Sequence, residues 1–107
     1  MASEYTIIFN YNKAIKQADE LTDIAKEIRK TADDKLESSI QTIDKNWDGA
    51  NSKKFVNKSK RLKEKVTDSA DDIDAVAGSI KTMAKKIYDA EMEALRIAKE
   101  REAKLSQ

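Results

Sequence analysis

Trp47-Asp48-Gly49 joins the only Trp of this chain to one of its only two Gly, close to the midpoint of 107 residues. A residue without Cβ accepts the left-handed backbone conformation that a chain reversal just past a helix demands, and Gly49 is placed for that role. Long helical patterns run away from it on both sides. The three residues therefore read as the bend of an antiparallel two-helix hairpin, with helix one about 11–46, the turn at 47–50 and helix two about 51–100.

Upstream of the bend, Tyr11, Ala14, Ala18, Leu21, Ala25, Ile28 and Ala32 recur at alternating steps of three and four. Leu36, Ile40, Ile43 and Trp47 continue the stripe with a looser, nearly 11-residue spacing. That is the signature of one amphipathic helix. Asn10 or Asn12 could cap its start by accepting a first-turn amide proton. Ile7-Ile8-Phe9 would then serve as a hydrophobic staple or as a short extended arm.

Downstream, Phe55, Ser59, Leu62, Val66, Ser69, Ile73, Val76, Ile80, Met83, Ile87, Ala90, Ala94 and Ile97 keep a stricter four-three alternation. A repeat sustained for so long implies a left-handed packing seam. Asn51 or Ser52 is the expected cap. Gly78 lies inside this helix at a cost of about 1 kcal/mol relative to Ala, and reads as a point of close helix approach. Lys99 to Gln107 lose apolar content and are expected to fray.

Folding about residue 48 sets residue i opposite 96 minus i. The basic run Lys53, Lys54, Lys58, Lys60, Arg61, Lys63, Lys65, relieved only by Glu64, then faces Asp33, Asp34 and Glu37, while Lys26, Arg29 and Lys30 face Asp68, Asp71 and Asp72. Such surface pairs stabilise little, but like-charge contacts disfavour wrong registers. The basic run is thus expected to be matched within the chain. The alternative, binding to nucleic acid or an anionic membrane, would want an unneutralised basic face with interleaved aromatics or a bulky apolar face; with a net charge of +1 and Phe55 its only aromatic, the run is not expected to bind nucleic acid.

Composition narrows the chemistry. A chain with 38% charged residues and no Pro favours an all-α fold. Without Cys or His, only carboxylates remain as metal donors, and no EF-hand spacing organises them. No metal or cofactor is expected. Carboxylates spread over helix surfaces, with no Ser/His or Cys/His set and no Gly-rich loop, argue against an enzyme. Tyr5-Thr6-Ile7-Ile8-Phe9 is too short for a signal-peptide core or a bilayer span.

Apolar residues beside the seam, namely Ile15, Ile24, Val56, Ala77, Ala84 and Leu95, give each helix a second sticky edge. A second hairpin would cover it, so a dimeric four-helix bundle is expected. Helix two beyond Lys86 would overhang its partner helix while keeping its stripe at Ile87, Ala90, Ala94 and Ile97, which suggests contact with another chain.

A chain of this length with a Trp-X-Gly turn between two heptad helices resembles the WXG family, small proteins exported by type VII (ESX) secretion systems of Gram-positive bacteria and mycobacteria. Trp47 and Gly49 match the family turn. The resemblance implies a homodimer, or a heterodimer with a related helical protein, that is cytoplasmic before export, passes a membrane secretion ATPase and is secreted without a cleaved signal peptide, with roles in virulence or interbacterial competition. It also implies a C-terminal export signal, Tyr followed four residues later by an acid. Here Tyr88 is followed at that spacing by Met92. A related Gram-positive pattern fits Ile87, Glu91, Ala94 and Ala98, whose spacing would set an apolar knob beside a carboxylate on one helix face. The altered signal leaves a second role open, as a targeting partner or chaperone bound to the N-terminal domain of a larger LXG toxin. From another class, an intracellular coiled-coil adaptor or a nucleic-acid-associated hairpin remains the alternative.

Overall fold

A computed structural model describes residues 3–106. The chain is all-α. Helix α1 (Glu4–Lys30) passes through a π-helical turn (Thr31–Leu36) into α2 (Glu37–Asn46), and α3 runs from Ala50 to Leu105.

Helix α1 starts at Glu4, about two turns before the start expected near residue 11, and the reason is local. The Ser3 hydroxyl oxygen accepts the Thr6 N–H at 3.2 Å and the Ser3 carbonyl accepts the Ile7 N–H at 3.0 Å. A serine cap satisfies amides that would otherwise lack partners, and Glu4 adds negative charge where the helix dipole is positive. Asn10 and Asn12 are therefore interior helix positions. Ile7-Ile8-Phe9 is neither staple nor extended arm but helix, and Ile7 is only 2% exposed.

The π turn answers a fault in the sequence spacing. Ala18, Ala25 and Ala32 are seven residues apart and all buried, but the next buried residue, Ile40, is eight further on. One residue too many would swing the stripe off the seam by about 100°. The wider turn absorbs it: the Glu37 N–H reaches back five residues to the Ala32 carbonyl.

Helix α2 stops where side chains take over from the ladder. Asn46 Nδ2 donates to the Thr42 carbonyl at 2.8 Å, and Trp47 N–H closes the last turn on Ile43 at 3.0 Å. Trp47 itself is extended (φ −134°, ψ 110°) and Gly49 has φ +111°, a region that side chains with Cβ rarely enter. Neither Asn51 nor Ser52 caps α3, which begins earlier at Ala50; the Ser52 hydroxyl instead donates to the Gly49 carbonyl at 2.9 Å.

The chain divides into two compact units. One consists of Met1–Glu20 with Val76–Gln107. Its segments run antiparallel: Glu4 lies 3.9 Å from Lys99, the Tyr11 and Tyr88 rings are 4.9 Å apart, and Asp19 lies 2.7 Å from Lys81. The segment 87–99 is thus matched by the early turns of α1, and the overhang expected beyond Lys86 is absent as far as Lys99. Nor does α3 stop near residue 100 as expected. Helix α3 continues to Leu105, with Arg96 bridging Glu93 and Glu100 and the Ser106 hydroxyl donating to the Glu102 carbonyl. Helix-favouring Glu, Lys and Ala with pairs three and four apart sustain it. Gln107 lies outside the described residues.

The other unit is Leu21–Ala75. Here Arg29 pairs with Asp71 at 2.7 Å and with Asp74, and Lys63 pairs with Glu37 at 3.0 Å and Asp33 at 3.9 Å. In each unit residue i sits opposite about 100 minus i, one helical turn beyond the expected 96 minus i. The extended Trp47 contributes to the offset, because an extended residue advances about 3.3 Å against 1.5 Å in a helix and carries the chain past the end of α2 before α3 starts.

The buried positions of α3 also differ from expectation. Val56, Ala70, Ala77 and Ala84 are buried, whereas Phe55, Leu62, Val76 and Met83 remain 46–63% exposed. The apolar stripe is three positions wide, and its alanine edge faces inward. Helices separated only by alanine can approach at the short end of the usual 8–10 Å range, which the larger edge would prevent. Gly78 is not the point of close approach; it is exposed, and a Cβ added there would meet nothing.

Candidate interaction surface

The turn presents an aromatic pair. Trp47 is 51% exposed, and its ring lies 6.0 Å from that of Phe55 at an interplanar angle of 51°. Phe55, placed in the seam by periodicity, is the partner that sequence reasoning missed. The signal was available in its position, one turn into the helix that follows Gly49. Space around Gly49 is open, so glycine is needed for its backbone angle and not for lack of room.

Behind this pair the basic run is only partly neutralised. Among the described residues, Lys63 alone of the seven basic side chains from Lys53 to Lys65 lies within ion-pairing distance of a carboxylate. Its hydrogen bond to Glu37, then one from Gln41, together with the positive charges of Lys63 and Lys60, hold the Glu37 carboxyl below the usual carboxylate range. Lys54, Lys58, Arg61 and Lys65 recur at steps of four, three and four, and all are exposed. They form a continuous basic stripe on α3.

The second surface is the outer edge of the apolar stripe. Leu62, Val76 and Met83 stand at multiples of seven residues and are half exposed, with Ile24 of α1 equally open. Beside Leu62 in sequence order, Val66 joins Ile24 and Ile28 in lining a shallow groove of about 430 Å³ in the Leu21–Ala75 unit.

Of the residues matched to an export signal, Ile87, Glu91, Ala94 and Ala98 recur at steps of four, three and four and so share one face of α3, but they are unevenly exposed. Ile87 is 53% exposed and Ala94 is exposed, while Glu91 and Ala98 are half buried. Tyr88 turns inward against Tyr11, with Lys85 Nζ 5.4 Å from its ring centre. A hydrogen bond from Lys85 to Asp89 at 2.6 Å raises the lysine pKa and fixes the ammonium there. Ile87, Tyr88 and Glu91 line a narrow cleft of about 180 Å³ together with Ile7, Asn10 and Tyr11. Trp47 and Gly49 belong to one compact unit and residues 87–98 to the other.

Among the described residues no three His, Cys, Asp or Glu side chains are grouped to hold a metal ion, and no helix is long and apolar enough to cross a membrane. The chain matches no protein-family model, no curated protein and no solved structure.

Proposed function

We propose that this chain is a WXG-type helical protein that acts by binding another protein as part of a four-helix bundle, and that it is a substrate of a type VII secretion system. The observation that carries the reading is the row of half-exposed Leu62, Val76 and Met83 at heptad positions, on a helix whose alanine edge is already buried. Such a row on water is unfavourable by about 25 cal/mol per Å² left uncovered, and a second helical pair supplies a cover of matching period. The Trp47-Asp48-Gly49 turn supports the family assignment, and a second copy of the chain is the preferred partner.

Size-exclusion with light scattering on the purified chain tests the first half. A dimer that becomes monomeric in the Leu62→Glu/Met83→Glu variant is expected, and a wild-type monomer at micromolar concentration would refute homodimerisation. Fractionation tests the second half: the protein should reach the culture supernatant only when the secretion ATPase is intact.

The inward turn of Tyr88 favours a second reading, as a targeting partner exported with a larger LXG toxin, because the tyrosine of the usual signal is occupied in packing against Tyr11. Co-purification with an LXG N-terminal domain in place of self-association would select it.

A further inference from the structure

The unneutralised stripe and the half-exposed aromatic pair lie at the same end of the Leu21–Ala75 unit, and among the described residues none of the four stripe cations is within ion-pairing distance of a carboxylate. The stretch 44–65 contains eight basic side chains against Asp44, Asp48 and Glu64, in a chain whose net charge is only +1. Its one cross-helix ion-pairing lysine is Lys63, which faces Glu37 and Asp33. The remaining basic residues include Lys54, Lys58, Arg61 and Lys65, aligned on one exposed face of α3.

We infer that the turn end of this protein docks on an anionic lipid surface, with Trp47 and Phe55 entering the headgroup boundary and the Lys54–Lys58–Arg61–Lys65 stripe lying against the phosphates. The chemistry of both parts fits. Tryptophan is the side chain best suited to the boundary between hydrocarbon and water, having an apolar body and a polar N–H, and phenylalanine beside it adds apolar area. Steps of four, three and four keep all four cations on one helix face, and the Phe55 side of α3 adjoins that face, as in helices that lie on membranes. Lysine and arginine stems reach along apolar surface while their charges stay in water. The aromatics flank the cations instead of alternating with them, and the two rings contact each other, so they do not form separate stacking platforms for bases. That arrangement favours lipid over nucleic acid.

The inference stands apart from export: it holds or fails whether or not the chain is secreted. Trp47 is the only Trp, so its emission reports the turn alone. The full chain is mixed with vesicles of phosphatidylglycerol and phosphatidylcholine, and separately with vesicles of phosphatidylcholine only. Co-sedimentation with the anionic vesicles, a blue shift of Trp47 emission and release by raised salt are expected, with neither shift nor sedimentation on the neutral ones. Lys54→Gln, Lys58→Gln and Lys65→Gln each remove a cation without touching the seam, and should weaken partition about fivefold apiece while leaving the helical circular dichroism unchanged. Phe55→Ser should reduce the blue shift. Failure of the wild-type chain to sediment with anionic vesicles overturns the proposal, as does sedimentation with unshifted Trp47 emission. Retention of a DNA duplex or of poly-glutamate without vesicle binding overturns it too, and assigns the stripe to another polyanion.

Discussion

Glu37 accepts a hydrogen bond from Lys63 at 3.0 Å, tying the first turn of α2 to α3 in the unit that contains the chain reversal. The bond, with help from Gln41, holds the Glu37 carboxyl below its ordinary value. In the unfolded chain that group titrates normally. The stabilisation it provides is therefore complete above the unfolded value and disappears as pH falls through the folded one. Glu37→Gln is expected to flatten the acid limb of a stability-versus-pH curve, measured by urea unfolding, while changing little near neutrality beyond the loss of the ion pair.

The two glycines should respond in opposite directions. Gly49→Ala forces a Cβ into a backbone region disfavoured by about 1–2 kcal/mol, although nothing crowds the site. Gly78→Ala replaces a poor helix former in an exposed, open position and should stabilise by about 0.5–1 kcal/mol. Thermal melts of the two single variants decide the matter, and equal effects would contradict both conformational assignments.

The π turn makes a prediction about length. Removing Asp34 brings Ala32 and the present Ile40 to a spacing of seven, so the wide turn becomes unnecessary and stability should be kept or improved. Removing Asp23 takes a residue from a stretch with no excess and rotates everything on one side of it by about 100° against the seam. That variant should unfold at a much lower denaturant concentration.

The alanine seam makes a prediction about volume. Ala25 is fully buried and Ala77 nearly so. Ala25→Leu or Ala77→Leu should cost about 1–3 kcal/mol through overpacking, even though leucine carries more apolar area to bury. The same change at exposed Ala90 should be near neutral, and chemical denaturation of the three variants compares them directly.

The all-α fold and the site of reversal were legible in the sequence because they rest on periodicity and on one residue without Cβ. The place where alternation lapses, Ala32-Leu36-Ile40, was visible as loose spacing, but whether a helix answers such a lapse by supercoiling or by one wide turn is decided by the facing helix. The start of α1 was missed because a single serine hydroxyl at Ser3 carries it, and Ile7 reads as staple, arm or helix with equal ease. The inner edge of α3 was misplaced for a different reason. Periodicity locates a stripe but does not say which of its edges faces the neighbour, and size suggested Leu62, Val76 and Met83 where closeness of approach selects Ala70, Ala77 and Ala84. Of the candidate site, Trp47 and Gly49 were legible as a turn. The contact with Phe55 and the inward turn of Tyr88 depend on register and were not.

Alanine every seven residues on both helices has one more effect. Over Ala18 and Ala25 of α1 with Ala32 of the π turn, and Ala70, Ala77 and Ala84 on α3, a slide of seven sets alanine on alanine again, so this stretch resembles a ratchet whose teeth are alike. The alanines alone fix how the helices are rotated but not how far one has slipped along the other. The choice of tooth falls to Arg29 with Asp71, Glu37 with Lys63 and Asp19 with Lys81, and above all to the short covalent link at Trp47-Asp48-Gly49, which acts as the stop. A cut in that link would leave the halves held as tightly in rotation as before, yet free to settle one tooth away.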